Sequence, residues 1–248
     1  MSTLTLARVD CAGCGAAVEG ELVVMANLGA RADLRAALFS REINVLRCEA
    51  CGRTAQVQRT SAFMDFRRRQ WIVAYPDWAE RHWAELAEAT AMSVTRNLGL
   101  AAPANLRAQA PRWTVRVVFG LEAAREKLVI WDAGLEDLAV ERLKLVALAG
   151  QPRWLMGRAW VNAVDDGGLH LRLVAPDGAE GALTLPLGRL PTGPLPGVDE
   201  LGLGLDPFVS ARRLTVHPEP ADPLSFDLDG RAHGHRNGEE LRHVPQEG

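Results

Sequence analysis

All four cysteines of this 248-residue chain sit in two copies of one short unit, Cys11-Ala12-Gly13-Cys14-Gly15 and Cys48-Glu49-Ala50-Cys51-Gly52. Two residues between paired cysteines let both sulfurs face one point on a tight turn. Two such pairs supply the four soft, tetrahedral ligands that Zn²⁺ prefers. The glycine after each pair lacks a Cβ, so the turn can close and aim its amides at the sulfurs. The repeated unit therefore predicts one structural Zn²⁺ held by Cys11, Cys14, Cys48 and Cys51. With all four positions filled by protein, no site is left for a catalytic water. Four thiolates also suit iron, which stays the alternative metal. A redox dithiol fits less well, because such a motif opens a helix after a buried strand, whereas "CEACGRTAQVQR" runs on into β-like sequence. The 33 residues from 15 to 47 exceed the usual zinc-ribbon spacing, but the cost of closing a loop grows only slowly with its length.

Length permits one large domain or two ordinary ones, so metal is not needed merely to fold a chain of this size. Apolar residues at 48% and charged residues at 24% exclude wholesale disorder. No apolar run reaches the roughly 18 to 20 residues that span a bilayer. The start "MSTLTLARVDCAGC" lacks a secretory layout. These features predict a cytoplasmic chain with no membrane contact, whose thiols stay reduced. The net charge of −3 gives no general pull toward nucleic acid. Residues 1–75 carry ten arginines against seven acidic residues, a local excess that four thiolates on one Zn²⁺ would largely offset.

Periodicity sets the expected elements. Residues 20–29 read as a strand, residues 32–42 as a helix with Leu34, Ala37 and Leu38 on one face, and residues 43–48 as a strand entering the second cysteine pair. Two further strands meet near Arg67–Arg69 and end at Pro76. Residues 77–100 suit one helix, with Asp77 as N-cap, Trp78, His82 and Leu86 on one face, and Gly99 as the stop. Residues 101–111 read as a connecting loop, "RWTVRVVFG" as a strand, and the stretch that follows as two helices broken at "DAG". Beyond Gly150 three strands, "RWLMGRAWVNAV", "LHLRLVAP" and "GALTLPL", are separated by hairpin turns. A loop and a last strand, "FVSARRLTV", complete the folded part.

Those elements predict an α+β protein. A zinc-ribbon-like module with an inserted strand and helix occupies 1–76, a helix and loop 77–110, an antiparallel β-rich α+β domain 111–217, and a largely flexible tail 218–248. The run "ADLRAALFSREINVLRCEACG", followed by "QVQRTSAFMDFRRRQWIVAYP", resembles bacterial proteins of the CpXC domain family, and weaker likeness extends over residues 5–217. The resemblance implies zinc binding by the four cysteines and a wider function not characterised. One departure stands out. The family has proline after the first cysteine of each pair, where this chain has Ala12 and Glu49; losing that rigidity leaves both turns less preorganised.

Other residues read more simply as structure. His82 near Glu80 and Glu85 suits a helix-face histidine rather than a general base, and His233, His235 and His243 suit a solvated tail. Arg67, Arg68 and Arg69 beside Trp71 and Tyr75 suit a charged hairpin tip, with a nucleic-acid contact as the alternative. "GLGLD" lacks the setting of a phosphate loop. The expectation is a zinc-binding protein-interaction or assembly module. The alternatives are a nucleic-acid binder using Arg67–Arg69, and an enzyme with a pocket in 111–217.

Overall fold

Strand β6 (Gln70–Tyr75) lies at the heart of the protein because its sequence, QWIVAY, is apolar on both faces. Such a strand is stable only with both sides covered. In the computed structural model, which describes residues 2–190 and 208–211, β6 is part of a five-stranded sheet of order β1-β2-β5-β6-β7. Its other strands are β1 (Thr3–Asp10), β2 (Ala17–Asn27), β5 (Ser61–Asp65) and β7 (Thr114–Phe119). β1 pairs β2 and β5 pairs β6 antiparallel, while β2 pairs β5 and β6 pairs β7 parallel. A two-stranded ribbon, β3 (Val45–Arg47) with β4 (Thr54–Gln56), branches from the connection between β2 and β5. The described residues all fall within one compact unit, Met1–Pro218.

Side chains alternate across β6. Ile72 and Ala74 face a core shared with Phe63, Val118 and the helices α1 (Ala32–Phe39) and α4 (Leu121–Asp132). Trp71 and Val73 point the other way, toward Met64, Leu98 and Trp113. That second face is covered by α2 (Trp83–Val94), its π-helical continuation Thr95–Leu100, and the short helix α3 (Ala104–Arg107). α4 also reaches a further core: Ile130 joins Val140 and Leu143 of α5 (Asp137–Leu148) against a three-stranded antiparallel sheet. That sheet has order β10-β9-β8, with β8 (Arg158–Asp165), β9 (Gly168–Val174) and β10 (Glu180–Leu185). Leu169, Leu171 and Leu173 of β9 alternate into this core, while His170 and Arg172 face outward.

The architecture is mixed α+β, with three sheets and six α-helices among the described residues. Several expectations change in detail, among them the connecting loop at 101–111, which holds α3 and enters a 3₁₀ turn at Ala110–Arg112. Residues 77–82 form a 3₁₀ helix, and at three residues per turn Trp78 rotates to solvent while His82 and Leu86 are buried. Asp77 is not a cap, since its carboxylate accepts from Gln58 and pairs with Arg158. The π-helical segment carries the chain through Gly99 to Leu100 instead of stopping there. "RWL" before β8 belongs to a one-turn helix, α6 (Pro152–Leu155), opened by Pro152, which suits a first helical turn. Of the expected last strand, residues 208–211 are described and lie outside any strand. The rest of that strand, the loop at 191–207 and the tail with its three histidines lie outside the described residues.

Candidate metal centre

Both cysteine units occupy the turn of a β-hairpin. Cys11 and Cys14 join β1 to β2, and Cys48 and Cys51 join β3 to β4. The two turns are built alike. In one, Cys11 N–H donates to Ala16 O at 2.9 Å and Gly15 N–H to Cys11 O at 2.8 Å. In the other, Cys48 N–H donates to Arg53 O at 2.7 Å and Gly52 N–H to Cys48 O at 2.8 Å. Gly15 and Gly52 have φ of 72° and 73°, and a Cβ on either would meet nothing within 4 Å. Backbone conformation, not space, therefore requires glycine at both.

The turns bring the four sulfurs together. Cys11 Sγ lies 3.6 Å from Cys51 Sγ, Cys14 Sγ lies 3.6 Å from Cys48 Sγ, and all four are within 4.8 Å of one another. Sulfurs placed about 2.3 Å from a central ion in a tetrahedron stand about 3.8 Å apart. The set is compatible with one metal ion, and the sulfurs are too far apart for disulfides. Cys48 is buried, while Cys14 and Cys51 are exposed.

Crowding separates the thiols electrostatically. Amides of Gly13 and Cys14, with hydrogen bonding from Cys51, hold the Cys11 thiol down to about 6. The Arg53 amide favours the Cys51 thiolate, but Cys11 and desolvation outweigh it and push that thiol up to about 12.

The ribbon is docked onto the sheet by the segment linking α1 to β3. α1 ends where Arg41 takes a left-handed conformation (φ 65°) and Glu42 N–H donates to Ala37 O. Ile43 then enters the core and Asn44, also left-handed at φ 56°, is buried. Asn44 Oδ1 accepts from Val23 N–H at 2.7 Å, and Asn44 Nδ2 donates to Val23 O and Ser61 Oγ. The side-chain amide thus acts as a neighbouring strand where β2 has not yet met β5. Leu46 of β3 lies over Gly20 of β2, where a Cβ would come within 2.4 Å of Leu46 Cδ2. Asn44→Ala leaves the Val23 amide unpaired and puts a poor residue in the left-handed region, so it should cost about 2 to 4 kcal/mol. Asn44→Gly, which relieves only the backbone part, should cost less; chemical denaturation of both variants measures the difference.

The other residues singled out from sequence have structural partners. His82 is buried and contacts Arg81 and Glu85. Arg68 pairs with Asp65 and Asp132, Arg69 donates to Gln109 Oε1, and the Arg67 and Arg68 amides donate to Asp65.

Sequence reasoning missed a second cluster. Glu126 and Lys127 of α4 and Asp137, Glu141 and Lys144 of α5 are all at most 3% exposed. Lys127 Nζ lies 2.9 Å from Glu141 and 3.4 Å from Asp137; Lys144 Nζ lies 2.9 Å from both Glu126 and Glu141. Arg116 of β7 donates to both oxygens of Asp137. Burial raises the Asp137 carboxyl, but Lys127 and Arg116 outweigh it and hold the group at about 2. Burial pushes Glu126 up, while Lys127 and Lys144 bring Glu141 down against its own burial. The missed signal was positional: Asp137, Glu141 and Lys144 fall on the same helix stripe as Val140 and Leu148, where apolar residues were expected.

A protein-family model described as CpXC protein matches residues 9–144, from just before Cys11 to Lys144. No curated protein and no solved structure matches the chain.

Proposed function

The chain belongs to the CpXC protein family, and from that premise we propose that it binds one structural Zn²⁺ through Cys11, Cys14, Cys48 and Cys51 in a zinc-ribbon-like pair of hairpins. The convergence of four sulfurs from two matching turns carries this reading. A tetrathiolate Zn²⁺ would place one divalent charge among four crowded sulfurs and favour all of them as thiolates. Because the shell is closed, the ion's role is to lock β3–β4 onto β1–β2 and hold both turns as one surface.

That surface serves a protein partner better than a nucleic acid. The chain carries net charge −3, and Arg68 and Arg69 make contacts inside the fold. Ion pairing lowers what Arg68 can offer a phosphate, and Arg69 is held by a neutral amide. The compartment we infer is the cytoplasm, where thiols remain reduced; among the described residues no helix is long and apolar enough to cross a membrane.

Cobalt substitution tests the ligand set. Co²⁺ added to metal-free protein should give the intense thiolate-to-metal charge-transfer absorption of a four-sulfur site, with less intensity after each single Cys→Ser change. A spectrum unchanged by Cys14→Ser or Cys51→Ser would rule out a shared site.

A further inference from the structure

The buried charges of α4 and α5 line a pocket that residues 208–211 nearly fill. Phe208, Val209 and Ala211 are each at most 7% exposed, and a cavity of only about 50 Å³ remains beside them. The Phe208 ring packs on Trp83 and Phe119, at centroid distances of 5.7 and 5.0 Å. Lys127 Nζ donates to Val209 O at 2.9 Å, and Ala211 N–H donates to Glu141 Oε2 at 3.1 Å.

These contacts fix the chemistry of what the pocket holds. An ammonium has three protons. Two of those on Lys127 face Asp137 and Glu141, and the third meets the Val209 carbonyl. Three carboxylates (Glu126, Asp137, Glu141) balance three cations (Lys127, Lys144, Arg116), so no net charge remains for an ionic ligand. What the cluster offers is one donor and one acceptor at a spacing that fits a carbonyl and an amide two residues apart, next to an aromatic slot. Buried ion groups of this kind seldom improve on apolar packing for stability alone, which favours a role in recognition.

We propose that this pocket is a binding site for an aromatic-led peptide segment, read through its main chain by Lys127 and Glu141, and that Phe208–Ala211 is its ligand within the same chain.

The test uses the full-length chain carrying Phe208→Gly, Val209→Ser, Ser210→Gly and Ala211→Ser together, with a fluorescent peptide spanning residues 204–215. Anisotropy should show saturable binding to this variant. Binding to the unaltered chain should be at least about tenfold weaker, because its own segment competes at high effective concentration. Methylating the peptide nitrogen that corresponds to Ala211 removes the donor to Glu141 and should weaken binding at least about tenfold. In the unaltered chain the Ala211 amide should resist hydrogen exchange. That measurement can overturn the proposal even if the fourfold variant does not fold. Free exchange at Ala211, no binding of the peptide by the folded variant, or equal binding of the methylated peptide would each overturn the proposal.

Discussion

Cys48→Ser should abolish stoichiometric zinc binding and unfold the β3–β4 ribbon while leaving the five-stranded sheet folded. Cys48 is the buried cysteine of the four, and its sulfur faces Cys14 on the other hairpin. β3 and β4 have three residues each, and Thr54, Ala55 and Gln56 are all exposed. A two-stranded hairpin with so little buried apolar surface is marginal by itself. Anchors such as Asn44 and Leu46 hold it, and the proposed metal supplies the remaining order. Losing a direct ligand should lower zinc affinity beyond the 10- to 100-fold typical of losing an outer-shell partner. Hydrogen exchange reads the split: amides of residues 45–56 should lose protection, while those of Phe63, Ile72 and Val117 keep it. Protection lost across the whole sheet would mean that the ion supports the entire fold; no loss anywhere would mean that it supports none of it.

Lys144→Met should destabilise the chain by about 3 to 5 kcal/mol near neutral pH, the usual cost of leaving a buried charge without its partner. Lys144 bridges Glu126 and Glu141; Glu141 retains Lys127, so Glu126 is the group left exposed to the loss. The pH dependence identifies it. Burial already raises Glu126, and removing Lys144 raises it further. A carboxyl whose folded value lies above its unfolded value binds more protons when folded, so stability falls as pH climbs from the unfolded value through the folded one. The variant should therefore recover part of its loss on acidification toward the ordinary glutamate range. Asp137 acts in the opposite sense. Held at about 2, it contributes stability above its unfolded value near 4, and that contribution disappears as pH drops toward 2. Thermal melts of both proteins across this range should show the variant's deficit narrowing first and the Asp137 contribution lost in both below it.

Local chemistry made much of the fold legible. The glycine after each cysteine pair marked a tight turn, and "DAG" marked the break between α4 and α5. The alternation of Leu169, Leu171 and Leu173 marked a half-buried strand. The features that escaped notice depend on distant neighbours. The 3₁₀ turn at 77–82 is held by contacts such as Asp77 with Arg158, 81 positions away. Asn44 looks like an ordinary turn residue until β2 is placed beside it. Glu126 and Lys127 look like solvated helix charges, because no pattern within α4 reveals that α5 carries their counter-ions. The cysteine site was readable for the converse reason: each half is a complete local motif, and only the meeting of the halves needed the fold.

Metal stoichiometry on the intact protein tests zinc binding by the four cysteines most directly, with native mass spectrometry and elemental analysis run alongside titration of free thiols. One zinc per chain is expected, with four thiols that react slowly until the ion is chelated. Metal-free protein with four freely titrating thiols, purified without chelator, would contradict this expectation.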